Sequence, residues 1–193
     1  MKVLVVGSGG REHALVWSIS HSPNVEEIHV APGNGGTSEL ATNVPIAADD
    51  IPALVEYARS QRFDLTVIGP EIPLALGLSD ALRAAGLRVF GPSAKAARIE
   101  SSKAFSKDFM RDNGIPTASY EVFQDYEAAL GYLDGHPAPI VVKASGLAAG
   151  KGSIVCHTDQ EAREALRRIM HDRAFGQAGD RVVIEEFLTG QEA

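Results

Sequence analysis

Residues 140–156 read IVVKASGLAAGKGSIVC, two short apolar runs that flank a loop of glycine, alanine and lysine. The runs at 140–143 and 153–156 predict the two strands of a β-hairpin. The first run ends in Lys143, and the loop carries Lys151. Glycine lets backbone N–H groups approach a ligand, and lysine neutralises an anion. The stretch therefore predicts a hairpin whose flexible tip covers phosphate groups.

The spacing of this loop excludes the common P-loop. That motif has four residues between its first glycine and Gly-Lys, ends in Ser or Thr, and joins a strand to a helix. Here three residues separate Gly146 from Gly150, and Gly152 follows Lys151. An ordinary glycine-rich hairpin without a ligand is the alternative that this segment alone leaves open.

The composition is that of a folded domain of ordinary polarity, since 45% of the 193 residues are hydrophobic and 22% are charged. A formal net charge of −7 argues against a nucleic-acid partner. The single Cys156 cannot form an internal disulfide, which fits a reducing compartment. The apolar run at 3–6 is too short for a signal peptide or a membrane span. We therefore expect a cytoplasmic protein with no membrane partner.

The first hundred residues predict a parallel α/β domain. Short apolar runs alternate with helical patterns, and each run ends in a loop that contains glycine. Such alternation is typical of a Rossmann-like parallel sheet covered on both faces, in which ligands bind beyond the carboxyl ends of the strands. We place this substrate-binding domain at 1–102. The four predicted strands are 3–6, 28–31, 65–68 and 87–90.

Residues 103–193 predict a second, α+β unit. One broken helix or two successive helices are expected over 93–114, and the hairpin is expected further along. The chain stops soon after its last predicted strand, so we expect this unit to be incomplete. The other predicted elements are a strand at 119–123, a helix at 126–134, a helix ending near 173 and a strand at 181–187.

The first predicted strand is followed by GSGGREH at 7–13, which begins like a dinucleotide-binding fingerprint. The third glycine of that fingerprint would fall at Glu12, and Ala31-Pro32 stands where an acidic residue would hold a ribose. We therefore favour a phosphate site at a helix N-terminus, with Arg11 as an additional cation. A tight strand–helix turn without a ligand is the alternative. His13 is interpreted as a packing or surface residue.

Other polar residues close predicted strands. Asn34 and Thr37 suggest a second polar pocket, and Glu71 is suited to bind an amine or hydroxyl unless it simply faces water. Strand alternation turns one carboxylate of Glu185 and Glu186 inward, where it needs a partner. Taken alone, this last segment favours an edge strand with a solvated acidic face.

Together these motifs resemble one family, the phosphoribosylamine–glycine ligases, also called glycinamide ribonucleotide synthetases, of the ATP-grasp superfamily. The match runs in order along nearly the whole chain, and GSGGREHA and GLAAGKG are its most specific parts. The matching residues are 5–14, 31–34, 36–37, 69–71, 73–74, 90–92, 102–105, 107–110, 114–117, 141–152 and 183–187.

The resemblance implies that ATP, glycine and 5-phosphoribosylamine give ADP, phosphate and glycinamide ribonucleotide, through an acyl phosphate of glycine. It implies that the hairpin belongs to a lid subdomain at about 119–187. It implies ATP contacts for Lys103 and Lys143 at the phosphates, for the 146–152 loop that closes over the phosphates, for 185–188 at the adenine and for Glu192 at the ribose. The implied ATP-binding residues are Lys103, Lys143, Gly146, Gly150, Lys151, Gly152, Glu185, Glu186, Phe187, Leu188 and Glu192. The implied substrate-binding residues are Gly9, Gly10, Arg11, Glu12, Asn34, Thr37, Gly69, Pro70 and Glu71.

The sequence departs from the family pattern in two ways. Ser145 stands where the family often has Asp, and Gln191 replaces the first acidic residue of a Gly-Glu-Glu. The family's ligands for Mg²⁺ or Mn²⁺ are not among these 193 residues, so we expect no metal ligand in this chain and no ligase turnover by the chain alone. The missing C-terminal part of the same enzyme is the expected partner. Another ATP-grasp carboxylate–amine ligase and a non-catalytic nucleotide-binding module remain as alternatives, and no catalytic residue is assigned.

Overall fold

The computed structural model describes residues 1–191. The chain forms two compact units, Met1–Ala97 and a second unit from Arg98 onward. Each unit has its own sheet and its own hydrophobic core. We describe them separately.

The first unit alternates strands with helices, as its sequence predicts. Its strands are β1 (Lys2–Gly7), β2 (Glu27–Pro32), β3 (Thr42–Asn43), β4 (Leu65–Ile68) and β5 (Val89–Phe90). Its helices are α1 (Gly10–Ser20), α2 (Ile51–Ser60), α3 (Glu71–Ala75) and α4 (Leu78–Ala84), with a 3₁₀ turn at Thr37–Glu39. Helix α5 (Ala94–Ser101) contains the boundary to the second unit.

The five strands form one parallel sheet in the order β3-β2-β1-β4-β5. The middle strand β1 is apolar on both faces, and Leu4 and Val5 are fully buried in the two core clusters on opposite sides of the sheet. This arrangement confirms the predicted parallel α/β fold. Strand β3 was not predicted, because two residues carry no recognisable strand pattern.

Local signals placed some helix ends correctly. Asp50 accepts a hydrogen bond from the N–H of Ala53 and caps α2, as expected for an aspartate directly before an apolar helical pattern. Ser79 and Asp80, the residue types that usually cap a helix, do not begin the next one. The cap of α4 is Gly77, with a φ of 88°, and Ser79 lies inside the helix, fully buried. The short helix α3, which places Glu71 in its first turn, was not predicted.

The second unit is an antiparallel sheet packed against helices. Its helices are α6 (Lys103–Asp112), α7 (Tyr126–Gly135) and α8 (Asp159–Leu166), the last continued by a π-helical turn at Arg167–His171, and a 3₁₀ turn lies at Gly176–Gly179. Its strands are β6 (Tyr120–Phe123), β7 (Ile140–Ala144), β8 (Ser153–Cys156) and β9 (Val182–Glu186). The predicted pair of successive helices before the first strand is confirmed.

The strand order of this sheet is β6-β9-β7-β8, so β9 is a central strand. The prediction of a solvated edge strand for this segment is therefore wrong. Alternate residues of β7 and β9, including Val142 and Ile184, enter a core with Leu166 and Ile169. Their neighbours in sequence, including Lys143 and Glu185, point to the opposite face.

Within the described residues, no helix is long and apolar enough to cross a membrane.

Candidate functional site

The first candidate site lies at the carboxyl ends of β1 and β2 and at the start of α1. The backbone of Gly7 has a φ of 132°, a left-handed conformation that favours glycine and turns the chain out of β1. Helix α1 begins after Gly9, and no side chain caps its first turn. The N–H groups at this helix start therefore face outward as an anion-binding position.

Glu12 is a structural element of this site. Its carboxylate is 3% exposed and accepts hydrogen bonds from the N–H of Gly9, at 2.7 Å, and from Nε of Arg11, at 3.1 Å. Three glycines make room for it, because a Cβ on Gly7, Gly9 or Gly69 would lie within 3 Å of its side-chain atoms. Glu12 therefore stabilises the Gly9 loop by a hydrogen bond and by close packing against the three glycines.

Arg11 joins α1 to the start of α3. Its NH1 group donates to Oε1 of Glu71 at 2.9 Å. This hydrogen bond, followed by the one to Glu12, raises the pKa of Arg11. The same contact lowers the pKa of Glu71. Both side chains remain partly exposed, so the charged pair is accessible from solvent.

Asn34 and Thr37 shape the neighbouring loop. The amide of Asn34 donates to the carbonyl oxygens of Ser8 and Gly9, at 2.9 and 3.2 Å. Thr37 is fully buried, and its hydroxyl bonds to Asn34 and Asn43. Thr37 therefore supports the loop and has no free polar group for a ligand.

His13 packs in the same region. A Cβ on Gly36 would lie 2.7 Å from its imidazole ring. This close packing fits the interpretation of His13 as a packing residue.

The second candidate site is the hairpin in the second unit. Strands β7 and β8 pair antiparallel with Lys143 opposite Ser153, so the predicted hairpin is confirmed. At its tip, Ala149 and Gly150 have φ values of 48° and 76°. Lys151 is exposed beside them. The tip therefore presents backbone N–H groups and one cation on a turn with few packing contacts.

The base of the loop is tightly packed. A Cβ on Gly146 would lie 2.7 Å from Cα of Ala178, and one on Gly152 would lie 2.6 Å from Cβ of Ala148. A cavity of about 220 Å³ opens beside this base, and Ser102, Ser145 and Arg181 are among its lining residues. A larger residue at position 146 or 152 would therefore collide with its neighbours at the base of the loop.

Lys103 begins α6 next to this loop. Its ammonium group donates to the carbonyl oxygen of Gly146 at 3.1 Å. Burial lowers the pKa of Lys103, and the positive charge of Lys143 lowers it further, while Glu100 acts weakly in the opposite sense. The positive charge of Lys143 thus acts on Lys103, whose ammonium contacts the base of the glycine loop, and an anion at this position would be stabilised.

Glu185 lies on the same face of the sheet and contacts two lysines. Its Oε1 pairs with Lys143, and its Oε2 lies 2.6 Å from Nζ of Lys107. The contact with Lys107 is an ion pair without hydrogen-bond geometry, since Oε2 accepts no hydrogen bond. Val141 stands opposite Glu185 in the register, which brings Lys143, two residues on, within reach.

Lys107 was missed by the sequence analysis. It is 9% exposed and also donates to the hydroxyl of Thr117 at 2.8 Å. A signal for it exists, because Lys107 stands four residues after Lys103 in a predicted helix, where side chains share one face.

Of the other residues proposed for nucleotide binding, Glu186 is exposed and accepts a hydrogen bond from Ser119. Phe187 packs edge-on against His157, and Leu188 is 63% exposed. Glu192 lies outside the described residues. Among residues 1–191, no three His, Cys, Asp or Glu side chains come together as a metal site.

Residues 101–193 match the family model "phosphoribosylglycinamide synthetase, ATP-grasp (A) domain", so the second unit is of the ATP-grasp class. Residues 1–100 match "phosphoribosylglycinamide synthetase, N domain". The chain therefore belongs to the phosphoribosylglycinamide synthetase family.

Relatives of known name agree with this assignment. The chain is 56% identical over 195 residues to the phosphoribosylamine–glycine ligase of Escherichia coli O6:H1, a match that covers 100% of the chain and 46% of the relative. The crystal structure of the Thermotoga maritima phosphoribosylamine–glycine ligase is 32% identical with a TM-score of 0.77, covering 99% of this chain and 45% of that one. The chain thus spans about half the length of the relatives it matches.

A more distant structure shares the fold alone. It is the biotin carboxylase domain of the Hydrogenobacter thermophilus 2-oxoglutarate carboxylase, in complex with MgADP, ADP and bicarbonate. It is 18% identical with a TM-score of 0.74, and the match covers 97% of this chain and 44% of that one.

Proposed function

We propose that this chain contributes the amine-substrate domain and part of the ATP site of an ATP-dependent carbon–nitrogen ligase that joins glycine to 5-phosphoribosylamine. The observation that carries the ATP site is the pair Lys103 and Lys143 beside the glycine loop. Lys143 already pairs with Glu185, whereas the ammonium of Lys103 donates to the neutral carbonyl oxygen of Gly146, so a further anion beside Lys103 would be stabilised. A nucleotide's phosphate chain supplies that anion.

The proposed roles on the ATP side follow the geometry. Lys103 and Lys143 bind the phosphates, Lys151 and the 146–152 loop close over them, and Glu185 holds Lys143 in place. Phe187 and Leu188 form the wall for the adenine ring. These groups position the γ-phosphate and neutralise the charge that develops during its transfer, which is the protein's main task in phosphoryl transfer.

The proposed roles on the amine side use the first candidate site. The start of α1, from Gly10 onward, binds the phosphate of 5-phosphoribosylamine through backbone N–H groups and the helix dipole, while Gly9 shapes the loop before it. Arg11 and Glu71 contact its polar groups. Asn34 and Glu12 stabilise the Gly9 loop through hydrogen bonds to its carbonyl oxygens and to the Gly9 N–H, respectively.

The whole enzyme's requirements are also proposals. We propose Mg²⁺ or Mn²⁺ as the metal that accompanies ATP, by analogy with the MgADP complex of the fold relative. Its ligands would come from a further part of the same enzyme, as would the rest of the ATP site.

Replacing Lys103 by methionine tests the ATP site. We expect K103M to weaken ATP binding, measured by titration calorimetry, by about tenfold or more, because a hydrogen bond to a charged group contributes roughly 1.5–3 kcal/mol. Lys95→Met is the matched control, since Lys95 is exposed and lies in the first unit. Equal affinities of K103M and K95M would contradict the proposed site.

The same lysine predicts a pH dependence. Only the protonated form of Lys103 attracts phosphate, and its pKa lies below the ordinary lysine value. As the pH rises through that lowered pKa, ATP affinity should fall before other lysines lose their charge. Calorimetric titrations in alkaline buffers should show this early decrease for the wild-type chain and not for K103M. A decrease of the same size in both would show that another group causes it.

A further inference from the structure

Ser145 follows strand β7 and is 4% exposed. Its main-chain carbonyl accepts from the N–H of Lys103 at 2.7 Å, and its hydroxyl accepts from the N–H of Ala104 at 3.1 Å. The third amide of α6, that of Phe105, donates to Ser102 at 3.3 Å. The first turn of α6 is therefore capped by the end of β7, with Ser145 supplying two of the three acceptors.

Ser145 also fixes the opposite side of the loop base. Its own N–H donates to the carbonyl oxygen of Arg181 at 2.9 Å, in the segment that leads into β9. The next amide, that of Gly146, donates to Ala178 at 3.0 Å. One residue thus joins the helix that carries Lys103, the strand that carries Lys143 and the segment before the strand that carries Glu185.

The position of Lys103 depends on this junction. Lys103 is the first residue of α6, and its ammonium group donates to the residue directly after Ser145. A shift of the helix start would move this ammonium away from Lys143. A freed helix N-terminus frays easily, because its first amides then have no partner.

We propose that Ser145 is a positioning residue that holds Lys103 beside Lys143, so that both bind one phosphate chain. The inference rests on the proposed ATP site. It explains the position of Lys103 by one hydrogen bond, in which the Ser145 hydroxyl after β7 accepts from the first turn of α6.

Three measurements on Ser145→Ala test the inference. Amide exchange at Ala104 should become faster, because its acceptor is lost. Affinity for inorganic triphosphate should fall about fivefold, the equivalent of losing one helix-cap hydrogen bond. The pKa of Lys103, followed by NMR at its side chain, should rise towards the ordinary lysine value, because the ammonium leaves its buried place near Lys143.

Ser145→Asp provides the rescue, since aspartate is an equally good acceptor at a helix start. It should restore the slow exchange at Ala104 and most of the triphosphate affinity. Ser79→Ala is the matched control. Ser79 is a fully buried serine of the first unit whose hydroxyl has no hydrogen-bond partner, so its loss should change none of the three readings.

The outcomes separate the two proposals. If the wild-type chain does not bind triphosphate, the proposed ATP site fails, and amide exchange and the pKa of Lys103 still decide the role of Ser145. If S145A lowers thermal stability but leaves the Lys103 pKa and the triphosphate affinity unchanged, Ser145 is only structural and the inference is overturned. Failure of S145D to restore what S145A loses would overturn it as well.

Discussion

Replacing Glu185 by alanine should lower the free energy of unfolding of the second unit by about 3–5 kcal/mol, the cost typical of removing one partner from a buried ion pair. Glu185 is 6% exposed, and its carboxylate faces Lys107 and Lys143. Without it, the ammonium groups of Lys107 and Lys143 lose their shared carboxylate, and Lys107 is almost completely buried. Urea denaturation monitored by circular dichroism measures the loss.

An exposed ion pair supplies the control for this prediction. Glu164 pairs with Arg167 on the helix surface, where both side chains are about half exposed. Glu164→Ala should change stability little, because exposed pairs contribute little. The double substitution K107M and E185L should recover much of the loss, since it removes the uncompensated charge together with its partner. A loss in E185A no larger than that in E164A would refute the buried-pair argument.

The second large effect is expected from Gly69→Ala in the first unit. The added Cβ would overlap the carboxylate of Glu12, which is enclosed by the Gly7 and Gly9 loop and cannot move outward. Overpacking of this kind costs about 1–3 kcal/mol. Displacement of Glu12 also breaks the hydrogen bond that holds the Gly9 loop in shape, so binding of ribose 5-phosphate, a stable probe of the proposed amine-substrate site, should weaken. Thermal unfolding and titration calorimetry measure the two effects.

The steric cause can be isolated with two further variants. Gly35→Ala is the control, because a Cβ there would meet nothing within 4 Å. In the double variant G69A with E12A, the collision is gone, so adding G69A to E12A should cost almost nothing. A loss that is the same in both backgrounds would contradict the proposed collision, since independent effects add.

Local patterns predicted much of this protein. The alternation of apolar runs and helical segments predicted the parallel sheet, and the spacing around 140–156 predicted the hairpin. Caps such as Asp50 and the glycines of the Gly7 loop were also visible, because a helix start or a tight turn depends on a few neighbouring residues. The strand alternation at Glu185 and Glu186 correctly required that one carboxylate turn inward.

Other features depend on contacts between distant parts of the chain. The central place of β9, which makes Glu185 buried, results from pairing with strands on both sides. The role of Lys107 depends on a partner 78 positions away, and that of Ser145 on a helix start more than 40 positions before it. The close packing of Gly69 against Glu12 likewise joins separate strand ends.

The sequence by itself determined most of the strands and helices and the glycine-rich loops, because hydrophobic period, caps and glycine placement act over one or two turns. The tertiary structure alone decided which charged side chains meet, which strand is central and that Ser145 caps the first turn of α6. These depend on strand order and register, and a linear pattern does not encode which of several compatible strands will pair.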